Sequence, residues 1–280
     1  MKKILFPTDF SKTAENAFLY ALGLASAFKA QLLVINSYEM PVVSATNAGQ
    51  PELVQEVYNS IELSGFERFK AQAPTLRKIA EDAGYDNIDV KFMYEEGTVP
   101  YVINTILEKE QIDLIVMGTT GDSSVENKLF GSNTVHVINN VHVPVLTVPK
   151  ESKSAELTKI GFATSLKSTE KTHLYKLIEI ANMLNATVSC LHIVEEDEAT
   201  NEQLLNEWIT EFTPHNVRFH TYEADDFEQA VYDFIDDYNI KMFCVVKRQL
   251  NFIQKIFTSS LSKKLAYHSY TPLLVLREIK

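Results

Sequence analysis

Short apolar runs alternate with longer amphipathic ones along the chain. "KILFPT" (3–8) is nearly continuous in apolar residues, as a strand buried on both faces would be. In "KTAENAFLYALGLASAFKA" (12–30), Ala14, Ala17, Phe18, Ala21 and Leu22 recur at spacings of three and four, which predicts a helix. "AQLLVINSY" (30–38) predicts a second strand. The stretch 52–84 reads mostly as helix, with Gly84 as its stop signal. "IDVKFMYEE" (88–96) alternates and predicts a third strand. "VPYVINTILEKEQ" (99–111) predicts a helix, "DLIVMG" (113–118) a fourth strand, "SNTVHVINNV" (132–141) a helix and "VPVLTVP" (143–149) a fifth strand. Strands that alternate with helices imply parallel βαβ units and a sheet covered on both faces.

The pattern is written twice. "KKILFPTDFS" (2–11) is matched by "TKIGFATSLK" (158–167), and "AQLLVINSYE" (30–39) by "ATVSCLHIVE" (186–195), at one common offset. Further on, "QIDLIVMG" (111–118) is matched by "NIKMFCVVK" (239–247), and "HVPVLTVPK" (142–150) by "YTPLLVLRE" (270–278), so that Pro144 meets Pro272 at a shorter offset. The second copy therefore lacks about one helix-plus-loop that the first carries around residues 40 to 90. Two homologous domains follow, 1–150 and 151–280, with a boundary in the polar "KESKSAEL" near residue 150. The 280 residues suffice for two ordinary domains, each with a core of its own.

Charge narrows the partners. With 37 acidic against 26 basic residues the formal net charge is -11, a surface that repels phosphate backbones, so no nucleic-acid partner is expected. An anionic ligand must be held by a local positive field, such as the amides at a helix start. Cys190 and Cys244 each lie in an apolar run without a CxxC or metal-like neighbour, which reads as two buried thiols in a reducing cytoplasm. The opening "MKKILFPTDFS" is too short in apolar residues for a signal peptide, and no stretch reaches the length of a membrane span. The expected location is the cytoplasm, with no membrane partner.

The strongest chemical signal is "MGTTGDSSVENKLFGSNT" (117–134), which holds three of the chain's nine glycines in a G-x2-G-x9-G-S spacing. In open parallel sheets, ligands bind beyond the C-terminal strand ends where the winding reverses. Gly118 ends the fourth strand, and Thr8 and Asp9 end the first. Gly118 and Gly121 would let the backbone approach a ligand and would allow positive φ. Gly131, Ser132, Asn133 and Thr134 open a helix whose free amides and dipole suit phosphate, with hydroxyls from Ser132 and Thr134. Asp9 could accept from a ribose hydroxyl or a base amine. An acid at the sugar end and amides at the phosphate end are what a nucleotide needs. Ordinary turn and helix-start duties would account for the same glycines. Neither a P-loop nor a dinucleotide fingerprint is present.

Taken together, "KKILFPTDFS", "DLIVMGTTG", the glycine spacing and "VPVLTVP" resemble the universal stress protein (UspA) family. The duplication resembles a tandem member covering nearly the whole chain, with the first copy of the ATP-binding type. The resemblance implies an α/β fold of two tandem Rossmann-like (adenine nucleotide alpha hydrolase-like) domains, each a five-stranded parallel sheet with helices on both faces. It implies that Pro7, Thr8, Asp9 and Ser37 surround adenine and ribose, and that Met117 and Gly118 continue that wall. Thr120, Gly121, Gly131, Ser132, Asn133 and Thr134 would follow the phosphates. Thr120 stands where the family often has a basic or imidazole side chain, and Asn133 where a small apolar residue is common. Asp122 and Glu126 could engage a divalent ion such as Mg²⁺ bridging the phosphates, but a solvated loop is the simpler reading.

The second copy departs from this pattern. Its one glycine is Gly161; Lys247 and Leu250 are read in the places of Gly118 and Gly121, Ser259 in that of Gly131, and Ser165 in that of Asp9. Side chains would fill the space a nucleotide needs. The resemblance gives this degenerate domain the role of a second subunit, its fifth strand pairing with that of the first domain in an intrachain pseudo-dimer; association into a further homodimer is left open. His136 and His142 have no metal spacing, and the acidic run from Glu223 reads as a solvated helix face. Ser123, Ser124 and Ser132 lie near the phosphates, and self-phosphorylation is a theme of the family, but no base to activate them is evident. The polar segment 41–52 reads as a loop beside the crevice, in the place of a lid. The expected function is a stress-response regulator that binds ATP and acts on an unknown protein partner. At most slow ATP hydrolysis or self-phosphorylation is expected, because no general base, arginine finger or metal set is evident. The alternatives are a nucleotide-free interaction scaffold with structural glycines, and an enzyme acting at the α-phosphate of adenine nucleotides.

Overall fold

The structure is a computed structural model that describes residues 1–40, 51–119, 131–152, 156–194, 202–224, 227–247 and 270–277. The first half runs β1 (Lys3–Pro7), α1 (Lys12–Phe28), β2 (Gln31–Tyr38), α2 (Pro51–Asp82), β3 (Val90–Glu96), α3 (Val99–Lys109), β4 (Leu114–Gly118), α4 (Ser132–Asn140) and β5 (Val145–Val148). The second runs β6 (Lys159–Ala163), α5 (Ser168–Met183), β7 (Thr187–Val194), α6 (Glu202–Phe212), β8 (Val217–Glu223), α7 (Phe227–Asp237), β9 (Met242–Val246) and β10 (Leu273–Leu276).

The strands form one ten-stranded sheet in the order β3-β2-β1-β4-β5-β10-β9-β6-β7-β8. Read inward from either edge, the order is third, second, first, fourth, fifth. Every neighbouring pair within a half is parallel. The exception joins the halves: β5 and β10 pair antiparallel, with Thr147 opposite Leu273, Leu146 opposite Leu274 and Val145 opposite Val275. All eight residues of these two strands are buried. The Thr147 hydroxyl, itself buried, donates to the Leu273 carbonyl at 3.3 Å. Left unpaired, either strand would be an apolar edge open to association with another chain.

The period-two pattern sends successive side chains to opposite faces. Ile4, Phe6, Leu32, Val34, Leu114 and Val116 pack into the layer under α1 and the C-terminal part of α2. Leu5, Leu33, Ile35, Ile115 and Met117 pack into the layer under α3 and α4. In the second half α5 and α6 join the first layer and α7 the second. Both faces are thus covered, which is why the strands are nearly continuous in apolar residues.

The length difference between the halves falls at one place. Between second and third strands the first half has a 32-residue helix and the second an 11-residue one. The second copy keeps a helix there but shortens it, rather than lacking it. Trp208 and Phe212 on α6 are fully buried, so this short helix still supplies the large side chains that close the core.

Two strand-level features set stability. A Cβ on Gly161 would come within 2.8 Å of Phe243, 3.0 Å of Phe234 and 3.1 Å of Ile240, closer than packed atoms sit. Gly161→Val is expected to destabilise the chain by about 1–3 kcal/mol through overpacking, measured by urea unfolding. Half-buried His220 lies 3.8 Å from the Tyr238 ring, centroid to centroid. Its Nε2 is buried without a hydrogen-bond partner among the described residues. Burial, and then the Arg218 charge, lower its pKa from 6.5. The unfolded chain then takes up this proton more readily than the folded one. Stability from this group is present above the unfolded pKa and is lost as pH falls from that value through the folded one. The melting temperature is expected to fall on acidification below pH 6.5, before the carboxylates titrate, and to fall less in His220→Phe.

Candidate functional site

The crevice lies beyond the C-terminal ends of β1 and β4, where strand order reverses about β1. The turn after β1 is held by its own hydrogen bonds. The Thr8 amide donates to the Ile35 carbonyl at 2.8 Å, and Asn36 Nδ2 donates to the Thr8 carbonyl at 2.8 Å. The Phe10 amide donates to Thr8 Oγ1 at 3.0 Å, and the Ser11 amide to Asp9 Oδ1 at 3.0 Å. Ser11 then caps α1, accepting from the Ala14 amide at 3.2 Å. Phe10 is held at a φ of 62°, a left-handed conformation that a bulky residue adopts only when its neighbours impose it. Asp9 is thereby presented, exposed, at the end of β1. Strand alternation puts Pro7, Ser37 and Met117 on one face, that of α3 and α4: each lies two residues beyond a residue of that face, Leu5, Ile35 and Ile115. The structure therefore brings the expected adenine-side residues to adjacent strand ends.

The far wall starts with Gly118, and its role differs from the expected one. Gly118 belongs to β4, and its φ is not among the positive ones. A Cβ there would lie 2.9 Å from Thr13 Cγ2 and 3.5 Å from the Thr13 backbone. The absent side chain makes room for the first turn of α1. Past β4, the Thr119 amide donates to the Val148 carbonyl at 3.1 Å, and the Gly131 amide to the Thr119 carbonyl at 2.7 Å. The Thr134 hydroxyl, buried, donates to the Gly118 carbonyl at 3.1 Å. That hydroxyl ties α4 to β4 and is a tether, not the free donor expected of it.

Gly131 is the N-cap of α4, in extended conformation at φ −68° and ψ 159°. Glycine matters here for the side chain it lacks. Ser11 and Thr98 cap α1 and α3 with their hydroxyls, whereas α4 has no side-chain cap and no acid in its first turn. The first-turn amides of α4 therefore have no side-chain partner among the described residues. Ser132 and Asn133 are exposed beside them. Open amides at the positive end of a helix can take an anion's oxygens. Thr120, Gly121, Asp122, Ser123, Ser124 and Glu126 lie outside the described residues, as do positions 41–50 of the expected lid, Leu250 and Ser259.

The corresponding end of the second half is built differently. Val246 faces Leu276 across β9 and β10 as Gly118 faces Val148 across β4 and β5, so Val246 takes the place of Gly118 and Lys247 that of Thr119. This corrects the sequence assignment of Lys247 by one position. At Ser165 the turn is filled by the fully buried Glu170 carboxylate, whose Oε2 accepts from the Thr164 hydroxyl at 2.7 Å, the Ser165 amide at 2.9 Å and the Lys167 amide at 3.3 Å. Sequence reading missed Thr13, Asn36 and Glu170. The visible signal for Asn36 is a polar residue at the end of the apolar run "LLVIN"; Glu170 and Thr13 gave none. Cys190 and Cys244 are fully buried, which pushes both thiols well above their ordinary pKa. His136 and His142 are exposed. Among the described residues no group of three or more His, Cys, Asp or Glu could hold a metal, and no helix is long and apolar enough to cross a membrane.

A doubly wound, mostly parallel sheet with helices on both faces places the chain in the open-sheet α/β class. The sequence profile of the universal stress protein family matches residues 1–149, and the chain belongs to that family. Among its relatives, Universal stress protein MJ0531 of Methanocaldococcus jannaschii is 35% identical over 153 residues, which are 54% of this chain and 84% of that one. Universal stress protein MJ0577 of the same organism is 30% identical over 162 residues, 54% of this chain and 96% of that one. A crystal structure of a universal stress protein from Archaeoglobus fulgidus shares the fold over 99% of this chain and 98% of its own, with a TM-score of 0.66 at 14% identity.

The Gly118–Thr13 contact can be tested directly. Gly118→Val is expected to cost about 1–3 kcal/mol, and Thr13→Ser, which removes the Cγ2 methyl, to restore part of that loss. A double-mutant cycle in urea would show coupling between the two; strictly additive losses would refute the contact.

Proposed function

We propose that this chain is a cytoplasmic stress-response regulator that binds ATP in residues 1–150, while residues 151–280, a second and degenerate copy, complete an intrachain pseudo-dimer. One observation carries the ATP reading: the uncapped start of α4 lies past the end of β4, next to the strand whose end presents Asp9. Pro7, Thr8, Asp9, Ser37 and Met117 would border adenine and ribose, with the Asp9 carboxylate accepting from a sugar hydroxyl. The amides of Ser132, Asn133 and Thr134 would receive phosphate oxygens, with Thr120 and Gly121 preceding them in the chain and Mg²⁺ accompanying the nucleotide. Asp9 adds no positive charge, so backbone amides supply the attraction that an acidic chain otherwise lacks. The antiparallel β5–β10 pair and the mirrored strand order support the pseudo-dimer reading. ATP acts here as a regulatory ligand that shifts populations between surfaces seen by a protein partner.

A second reading has an observation behind it. Gly118 is accounted for by packing against Thr13, as a nucleotide-free scaffold would require of its glycines.

Calorimetric titration of Mg²⁺·ATP into the stripped chain separates the two. One site per chain is expected. Gly131→Asp fits the extended backbone of the N-cap and places a capping carboxylate on the same amides. It is expected to abolish ATP binding while leaving the melting temperature unchanged or higher. No heat, and no displacement of a fluorescent ATP analogue, would leave the scaffold.

A further inference from the structure

Helix α4 begins at the crevice and ends against the second half. Its last-turn carbonyls have no continuing helix to accept from. The Val137 carbonyl takes the Val141 amide at 3.0 Å, and the His136 carbonyl takes the Asn140 side-chain amide at 2.8 Å. The next two carbonyls are satisfied from across the molecule. Arg277 Nη2, at the end of β10, donates to the Ile138 carbonyl at 2.6 Å, and Lys247 Nζ, just past β9, donates to the Asn139 carbonyl. The helix has no basic residue in its own last turn. Both cations at its negative end are thus supplied by the second half, where charge and dipole favour them.

Arg277 is itself fixed in place. Its backbone carbonyl accepts from His173 Nε2 at 2.7 Å, and His173 is a buried residue of α5. β10, which carries Arg277, is paired to β5, the strand that follows α4. A continuous path therefore runs from α5 through His173 and the half-buried Arg277 to the last turn of α4. That helix spans nine residues, a rise of about 14 Å. At its first turn the described hydrogen bonds to the rest of the fold are those of the Gly131 amide and the Thr134 hydroxyl, and Thr134, Val137 and Ile138 are buried. Where its C-terminal end is held decides where its first-turn amides point.

We propose that Lys247 and Arg277 are positioning residues for the open end of α4, so that the second half sets the first half's affinity for the phosphates of a nucleotide. This rests on the ATP reading above and adds its regulation. The second half is then a clamp on the site. Any partner that draws Lys247 or Arg277 away from α4 lowers nucleotide affinity, and by linkage bound nucleotide strengthens the clamp.

The test uses the full-length chain and Mg²⁺·ATP. Lys247→Met, Arg277→Met and the double variant remove the donors but keep the aliphatic stems; Arg277→Lys keeps a cationic donor. ATP affinity is expected to fall on the order of five-fold or more in the double variant, and to recover in part in Arg277→Lys. Adenosine, which has no phosphate to meet α4, is expected to bind the double variant as it binds the parent. An equal loss for ATP and adenosine would mean general loosening and would overturn the proposal. So would unchanged ATP affinity in the double variant. If the parent chain binds no nucleotide, the ATP reading has failed. Amide hydrogen exchange of α4 without ligand then decides the clamp: faster exchange from Thr134 to Val141 in Lys247→Met and in the double variant supports it, and parental rates overturn it.

Discussion

The antiparallel pairing of Val145–Val148 with Leu273–Leu276 makes two five-stranded sheets into one. Each strand is four residues long and buried on both faces. Each already has a parallel neighbour on one side, β4 or β9. On its other side each would present a row of unpaired amides and carbonyls flanked by apolar side chains, a template for uncontrolled association. Pairing satisfies both rows at once. It also carries the two helical layers across the join, so that apolar contacts in each layer run through both halves. The placement of one half against the other follows from this register.

That register also brings the end of β10 beside the last turn of α4. Arg277 and Lys247 reach its carbonyls because the strands that carry them lie next to β5 and β10. The helix then has an asymmetric environment. Its negative end meets two cations from the other half, and its positive end has, among the described residues, neither a capping side chain nor an acid in its first turn. In a protein of net charge -11, such an end is a local exception to the overall field. Glycine at the N-cap keeps that exception open, since serine, threonine, asparagine or aspartate there would occupy the amides.

The two halves show how one turn can be kept while its chemistry changes. Phe10 and Leu166 have φ of 62° and 55°, and the hydroxyls of Thr8 and Thr164 each accept an amide at 3.0 Å. The Thr8 and Thr164 amides each reach back to the second strand of their half. In the first half the turn offers Asp9 to solvent. In the second it closes over the buried Glu170, whose carboxylate takes two amides and a hydroxyl. A family profile that matches residues 1–149 sits on the half whose turn stays open.

Much of the architecture was legible in the chain itself. Apolar runs and helical spacing located the strands and helices, because burial on both faces imposes those periods. The repeated landmarks anticipated a second run of five strands, the family resemblance implied the pairing of the two fifth strands, and the glycine spacing marked the start of α4. Assignments that rest on contact between distant residues were not legible. Sequence placed Lys247 opposite Gly118, whereas strand register gives that place to Val246. Gly118 is a glycine on account of Thr13, and the Thr134 hydroxyl is engaged by a carbonyl on β4. Glu170 is buried inside a turn that no spacing rule foretells, and the cations that cap α4 come from positions more than one hundred residues away. Periodicity is a local property and survives in one dimension. Which side chain fills a gap or reaches a carbonyl depends on how the sheet brings separate strands together, and only the tertiary structure decides that.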